Sequence, residues 1–111
     1  MTAYLLNIVR GITDVKDMET YWNGARSTYS GQGKVLAAYT PFEVLEGDDV
    51  PMWGIVLQEW PSMESAREWY DGDAYQALKK HREGVQDNIC VLVEGGWVPM
   101  QERKAPAGYI G

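Results

Sequence analysis

The chain has a single cysteine, Cys90, and a single histidine, His81. One thiol cannot close an intrachain disulfide, and a reducing cytoplasm is the simplest setting for such a chain. One Cys and one His also fall short of the usual zinc ligand sets. A lone His could still serve as an axial haem ligand, but no other residue points to haem, and no cofactor is expected. Positive charge is scarce too, with 10 Lys and Arg against 16 Asp and Glu, for a net charge of −6. Nucleic acid and anionic membrane surfaces both require a cationic face, so neither is an expected partner. The run Lys79-Lys80-His81-Arg82 is short enough to be a solvated helix face. Long apolar runs are missing. Met1 to Arg10 is too short for a membrane span, lacks a basic leader, and reads as a first strand. No G-x-S-x-G elbow occurs. Gly31-Gln32-Gly33 sits between a helix and a strand, the reverse of a dinucleotide loop.

Phenylalanine is nearly absent, at 1 residue, against 5 Trp and 7 Tyr. Trp and Tyr join an apolar body to a polar tip, which suits wet pockets and interfaces as well as cores. At 111 residues and 45% hydrophobic content the chain is long enough for one domain with a modest core.

The periodicities give an element order. Tyr4 to Arg10 has strand length and a mostly apolar pattern. Asp14 reads as an N-cap, and Val15, Met18, Trp22, Ala25 and Tyr29 form one helical stripe that ends at Ser30-Gly31-Gln32-Gly33. Lys34 to Glu46 reads as a long strand that Pro41 marks as an edge or a bulge. Met52 to Trp60 is the third strand, with Gly54 at a close backbone approach. Pro61 stops it and Ser62 caps a helix whose inner face holds Met63, Ala66, Trp69 and Tyr70. Asp71-Gly72 interrupts that helix, and Asp73 with Gln76 has capping-box spacing for a restart. Beyond it, Ala74, Leu78, His81 and Val85 share one face, and Tyr75, Leu78, Arg82 and Val85 a slightly offset one. Asn88 to Glu94 is the fourth strand. The order is β-α-β-β-α-β, a ferredoxin-like α+β unit with a four-stranded antiparallel sheet. Residues 97–111 read as a tail, with Trp97, Val98, Met100 and Tyr109 expected to pack on a partner or over a pocket mouth.

Several of these blocks together resemble a known family. Phe42 to Gly47, Glu59 to Ala66, Trp69-Tyr70, Tyr75 to Leu78, Arg82 and Val91 to Gly95 are similar to the DUF1330 family of the dimeric α+β barrel superfamily, over residues 3–96. The resemblance implies a homodimer in which two sheets face one another. The residues agree. Strand 1 is apolar at both parities, with Tyr4, Leu6 and Ile8 on one side and Leu5 and Val9 on the other, while two helices can cover only one face. Three features depart from the family pattern: His81, the strand 2 segment around Tyr39, and the tail after Gly96.

Each candidate site residue has a functional and a structural reading. His81 is a candidate acid/base or a packed histidine bonded to a carbonyl. Asn7 either orients a substrate carbonyl or enol inside the barrel or is a satisfied structural amide. Tyr39, with Gln58, lines the same cavity or is an ordinary strand aromatic. Glu59 is a base if buried and a strand-end carboxylate if not. Arg26 with Tyr21 and Trp22 can grip an acidic or aromatic ligand, and Trp22, Trp53 and Trp69 can form an apolar wall. Arg82 joins the ligand contacts or pairs locally with Asp87. Related barrels host cyclases, isomerases and cofactorless oxygenases, so the resemblance implies a cofactor-independent enzyme. It would act by proton transfer, as an isomerase, cyclase or lyase, on a small aromatic or polyketide-like metabolite. The alternatives are a non-catalytic ligand-binding or stress-associated dimer and a cofactorless monooxygenase.

Overall fold

A computed structural model describes residues 1–109 of the chain; the last two residues of the tail lie outside the described residues. Four strands form one antiparallel sheet in the order β2-β3-β1-β4. They are β1 (Ala3–Ile12), β2 (Lys34–Ala38), β3 (Gly54–Trp60) and β4 (Gln86–Glu94). This is the ferredoxin-like α+β order expected from the sequence, with β1 and β3 at the centre. Register fixes which side chains share a face. Leu5 lies opposite Gln58 and Leu92, and Asn7 opposite Val56 and Cys90. The alternate residues Tyr4, Leu6 and Ile8 share the other face with Ile55, Leu57, Ile89, Val91 and Val93.

The expected second strand is cut short. It ends at Ala38 instead of Glu46, because Tyr39 turns to φ +56°, a left-handed conformation that breaks the pleat, and Pro41 has no N–H to donate. Beyond Ala38 a single bond continues the pairing with β3, from Tyr39 N–H to Ile55 O (2.9 Å), while Trp53 N–H to Val9 O (2.8 Å) extends the β3 side of the β1–β3 ladder. β2 is an edge strand with a bulge between Val35 and Ala37. A Cβ on Gly54 would stand 2.5 Å from the Tyr39 ring, so the close approach expected there is that of an aromatic side chain.

The helical layer covers one face. Asp14 caps the first turn, its carboxylate accepting from Lys16 N–H at 2.9 Å. The expected single helix is instead α1 (Glu19–Ala25) between two 3-10 turns, Val15–Met18 and Arg26–Tyr29. A 3-10 turn advances three residues per turn and not 3.6, so the buried stripe drifts. Val15 is exposed, and Tyr21, outside the expected stripe, is buried with Met18. α2 (Met63–Asp71) starts at Ser62, whose hydroxyl accepts from Ser65 N–H at 3.0 Å while Ser65 Oγ accepts from Ser62 N–H at 3.2 Å. α3 (Asp73–Lys79) is capped by Gly72, not by the side chain of Asp73; Gln76 Nε2 instead donates to Tyr70 O at 2.7 Å. Since α3 ends at Lys79, helical spacing does not reach residue 81. Of the two offset faces, the one holding Tyr75 and Arg82 is buried, and Ala74 and His81 are exposed.

The core joins Leu5, Trp60 and Ala66 in one cluster and Met18, Tyr21 and Tyr75 in another, with Trp69 packed against both. The other sheet face carries no helix, and Ile89, Val91 and Val93 there are 45 to 50% exposed. The tail beyond Gly96 folds on itself. Arg103 lies over the Trp97 ring at 4.9 Å and donates from Nε to Val98 O at 2.9 Å. Trp97, Val98, Met100 and Tyr109 are exposed on the single chain. Among the described residues no helix is long and apolar enough to cross a membrane.

Candidate functional site

A cavity of about 270 Å³ lies between the helices and the covered face of the sheet. Sheet residues Asn7, Val56, Gln58 and Cys90 form its floor. Tyr21, Trp22, Tyr29, Tyr39, Trp69 and Tyr75 are its aromatic walls, and exposed Arg26 stands at its edge. Strand alternation puts Asn7 here. It has the parity of Leu5 and Val9, so it points toward the helices, not toward the interior of a barrel.

The polar groups around this space follow one pattern. Arg82 can only donate. Its Nη1 donates to Asn88 Oδ1 (3.4 Å), which leaves Asn88 Nδ2 to donate to Asn7 Oδ1 (2.6 Å). That turns Asn7 Nδ2 outward as the free end of the amide. Trp22 Nε1 donates to the Tyr39 hydroxyl (3.0 Å), and Gln58 Nε2 to that of Tyr29 (3.0 Å). Gln58 Oε1 is taken by Trp60 Nε1 (2.9 Å). The Tyr21 and Tyr75 hydroxyls share a 2.7 Å bond, and Arg82 Nη2 donates to Tyr75 at 3.3 Å. Hydroxyl protons therefore remain on Tyr29, on Tyr39 and on one member of the Tyr21–Tyr75 pair, together with the free N–H groups of Asn7.

Ionisation keeps these groups as donors. Burial, with the neighbouring Tyr75 oxygen second, pushes the Tyr21 hydroxyl well above its ordinary pKa. Burial likewise raises Tyr29 and Tyr39, so all three are neutral phenols at physiological pH. Burial works against the Arg82 cation, but the Tyr75 and Tyr21 oxygens outweigh it, and Arg82 stays protonated. Among the described residues, no Asp, Glu or His lines the cavity. The arrangement can hold the oxygens of a small planar compound between aromatic rings, and it offers no carboxylate or imidazole to take a proton. No group of three or more His, Cys, Asp or Glu able to hold a metal occurs among the described residues.

Of the residues singled out from sequence, Asn7, Tyr21, Trp22, Arg26, Tyr39 and Trp69 come together at this cavity. Arg82 is buried directly behind Tyr21 and Tyr75. It does not pair with Asp87, which binds Arg10 at 3.1 Å. Trp53 stacks on the back of Trp22 (centroids 6.1 Å apart) and is 42% exposed. Glu59 lies on the uncovered sheet face, opposite Tyr4 and Lys34. His81 is exposed, in the turn after α3, and does not line the cavity. Sequence reasoning missed Tyr75, Tyr29 and Asn88. The offset stripe through Tyr75 and Arg82 was the available signal for the first, whereas nothing in the local pattern marks Asn88 as a partner of Asn7, 81 residues away.

The family model described as a domain of unknown function, DUF1330, matches residues 2–96. The chain belongs to this family. No protein of curated function matches it. Solved structures share the fold at low identity. A Rhodopseudomonas palustris protein of unknown function aligns with a TM-score of 0.67 at 16% identity, covering 87% of this chain and 84% of the other. A variant of SnoaB, a cofactor-independent oxygenase from Streptomyces nogalater, aligns at 0.59 and 8% identity, covering 87% and 95%. A dimeric ferredoxin-like protein of unknown function from Thermobifida fusca aligns at 0.55 and 11%, covering 83% and 89%. The DUF1330 chain itself presents a helix-covered face and an open face of one four-stranded sheet.

Proposed function

We propose that this DUF1330 protein binds a small planar compound, bearing carbonyl or hydroxyl oxygens, in the cavity between sheet and helices. The observation that carries this reading is the donor surplus. The acceptor oxygens of Asn7 and Gln58 are occupied within the protein, and N–H and O–H groups remain for a ligand. The aromatic walls supply flat apolar contact, and the volume suits a compound of about one or two rings. The test is a thermal-shift and tryptophan-fluorescence comparison of hydroxynaphthoquinone with naphthalene. Hydroxynaphthoquinone is expected to bind and naphthalene to bind far more weakly, while Tyr39→Phe and Asn7→Leu should each weaken the quinone about five- to twentyfold, the worth of one hydrogen bond. Equal binding of the two compounds would sink the reading.

A second reading, reaction of the bound compound with dioxygen, is favoured by the likeness to the cofactor-independent oxygenase SnoaB, and it is analogy of fold. Oxygen consumption dependent on the compound tests it. Isomerisation, cyclisation or elimination driven by His81 has less support, because His81 stands outside the cavity. We also assign the open sheet face to a second copy of the chain. Its exposed Ile89, Val91 and Val93, beside Leu6, Ile8, Ile55 and Leu57, form an apolar surface of a kind that soluble monomers seldom leave uncovered, and the Thermobifida fusca neighbour is dimeric.

A further inference from the structure

Among the described residues, Arg82 is a buried cation without an anion. It is 5% exposed, and its partners are all uncharged: the Tyr75 hydroxyl, Asn88 Oδ1 and the face of the Tyr21 ring, 5.5 Å from the guanidinium carbon. Its Nε has no partner at all. The ion pairs among the described residues join Arg10 to Asp87, Arg67 to Asp71 and Lys79 to Glu83. The titratable groups that act most strongly on Arg82 are Tyr75 from α3 and Tyr21 from α1, and Arg82 in turn acts on Tyr39 from the end of β2 and Cys90 from β4. None of these is a carboxylate. Burying a charge without a counter-charge is costly. The chain had acids in excess, 16 against 10 basic residues, and placed none here.

The position of Arg82 says what the charge does. Through Asn88 it sets the orientation of Asn7, so that Nδ2 is the free end. Its bond to the Tyr75 oxygen strengthens the hydroxyl pair as a donor, because a charge-assisted bond polarises the next one in a chain. Two separate routes thus carry its charge toward groups that line one cavity, and Arg26 adds a second cation at the edge.

We propose that the missing counter-ion of Arg82 is the ligand: the cavity takes its planar compound as an oxyanion, a phenolate or enolate, with Arg82 as a positioning residue behind Asn7 and the Tyr21–Tyr75 pair. This rests on the cavity being the binding site, as proposed above. It adds the charge state of the ligand and the residue responsible for it. The cavity lowers the pKa of the bound compound and needs no base in its walls, since a compound that ionises in water enters as the anion.

Para-nitrophenol tests this, because its acid and anion absorb at different wavelengths and it titrates near neutral pH. Para-nitroanisole, its methyl ether, has the same shape and cannot ionise. Bound para-nitrophenol is expected to ionise about one pH unit or more below the free compound, a tenfold preference for the anion. Above the midpoint it should bind at least about tenfold tighter than para-nitroanisole, whose affinity stays flat with pH. Arg82→Met should remove most of the shift while the ether still binds, and Arg82→Lys should keep part of it. A bound midpoint at or above the free value, or equal affinities for the two compounds at alkaline pH, overturns the inference even if no Arg82 variant folds. A full shift in Arg82→Met also overturns it. If neither compound binds, the cavity reading falls and the inference falls with it, a result distinct from binding without a shift.

Discussion

The two faces of the sheet are made of alternate residues on the same strands, yet they differ in a way that hydrophobicity alone does not explain. The face under the helices holds Ala3, Leu5, Asn7 and Val9 from β1 and Gln58 and Trp60 from β3, all six buried, with Asn88 of β4 beside Val9, so it includes three amides. The open face holds Tyr4, Leu6, Ile8, Ile55, Leu57, Ile89, Val91 and Val93, with no amide, and it is the wetter of the two. The helices bring Tyr21, Tyr29, Trp69 and Tyr75, whose polar tips need partners once buried. A sheet face with amides supplies some of them: Gln58 meets Tyr29 and the indole of Trp60. The open face has no amide to offer such a tip, and its aliphatic stretch of Leu6, Ile8, Ile55, Leu57, Ile89 and Val91 suits a partner as plain as itself. On the proposals above, one face is the ligand site and the other the contact surface between copies.

That contrast can be broken most sharply on the open face. Val91→Asp places a charge among Leu6, Ile8, Ile89 and Val93, and it should abolish self-association, leaving a 12.5 kDa particle by light scattering while the unmutated chain is twice as heavy. Unchanged assembly would mean that this face is not where copies meet. Next in size is a pair of truncations measured by urea unfolding at concentrations where the chain is monomeric. Trp60→Ala, at 1% exposure and with its ring filling the space beside Gly33, should cost about 3–5 kcal/mol. Val91→Ala, half-exposed, should cost less than about 1 kcal/mol. Similar losses from the two would erase the distinction.

The smallest effect is a pH dependence specific to the covered face. Burial raises Tyr21, Tyr29 and Tyr39 above their ordinary value of 10.0, so the folded chain keeps protons that the unfolded chain gives up. Their contribution is fully present below pH 10 and is lost as pH rises beyond it, with a slope of at most about 1.4 kcal/mol per pH unit for each group. Melting temperature followed from pH 9 to pH 11 should fall, and Tyr29→Phe should flatten the decline. A flat profile in the unmutated chain would show that these hydroxyls are not shielded.

Much of this architecture was legible in local patterns. Asp14 and Ser62 stand at helix starts because their side chains satisfy free amides a few residues on, a relation that spacing displays directly. Strand positions were legible from apolar runs, and the uncovered face from the apolar residues on both parities of β1. Other features failed for identifiable reasons. Tyr39 leaves the strand through a positive φ that nothing in its neighbours announces. The 3-10 turns around α1 moved the buried stripe from Val15 to Tyr21. His81 was placed on an inner face by extending a helix that in fact stops two residues earlier.

The order of elements, the Asp14 and Ser62 caps and the demand for a second layer over the open face were determined by the sequence, because each depends on residues within a turn or two of one another or on the count of apolar positions per strand. Tertiary structure alone decided which parity of β1 would meet the helices, and therefore that Asn7 borders a cavity and Glu59 does not. It alone joined Arg82 to Asn88 and Asn88 to Asn7. Such bonds depend on register between strands and on where a helix ends, and those are set by the packing of the whole chain.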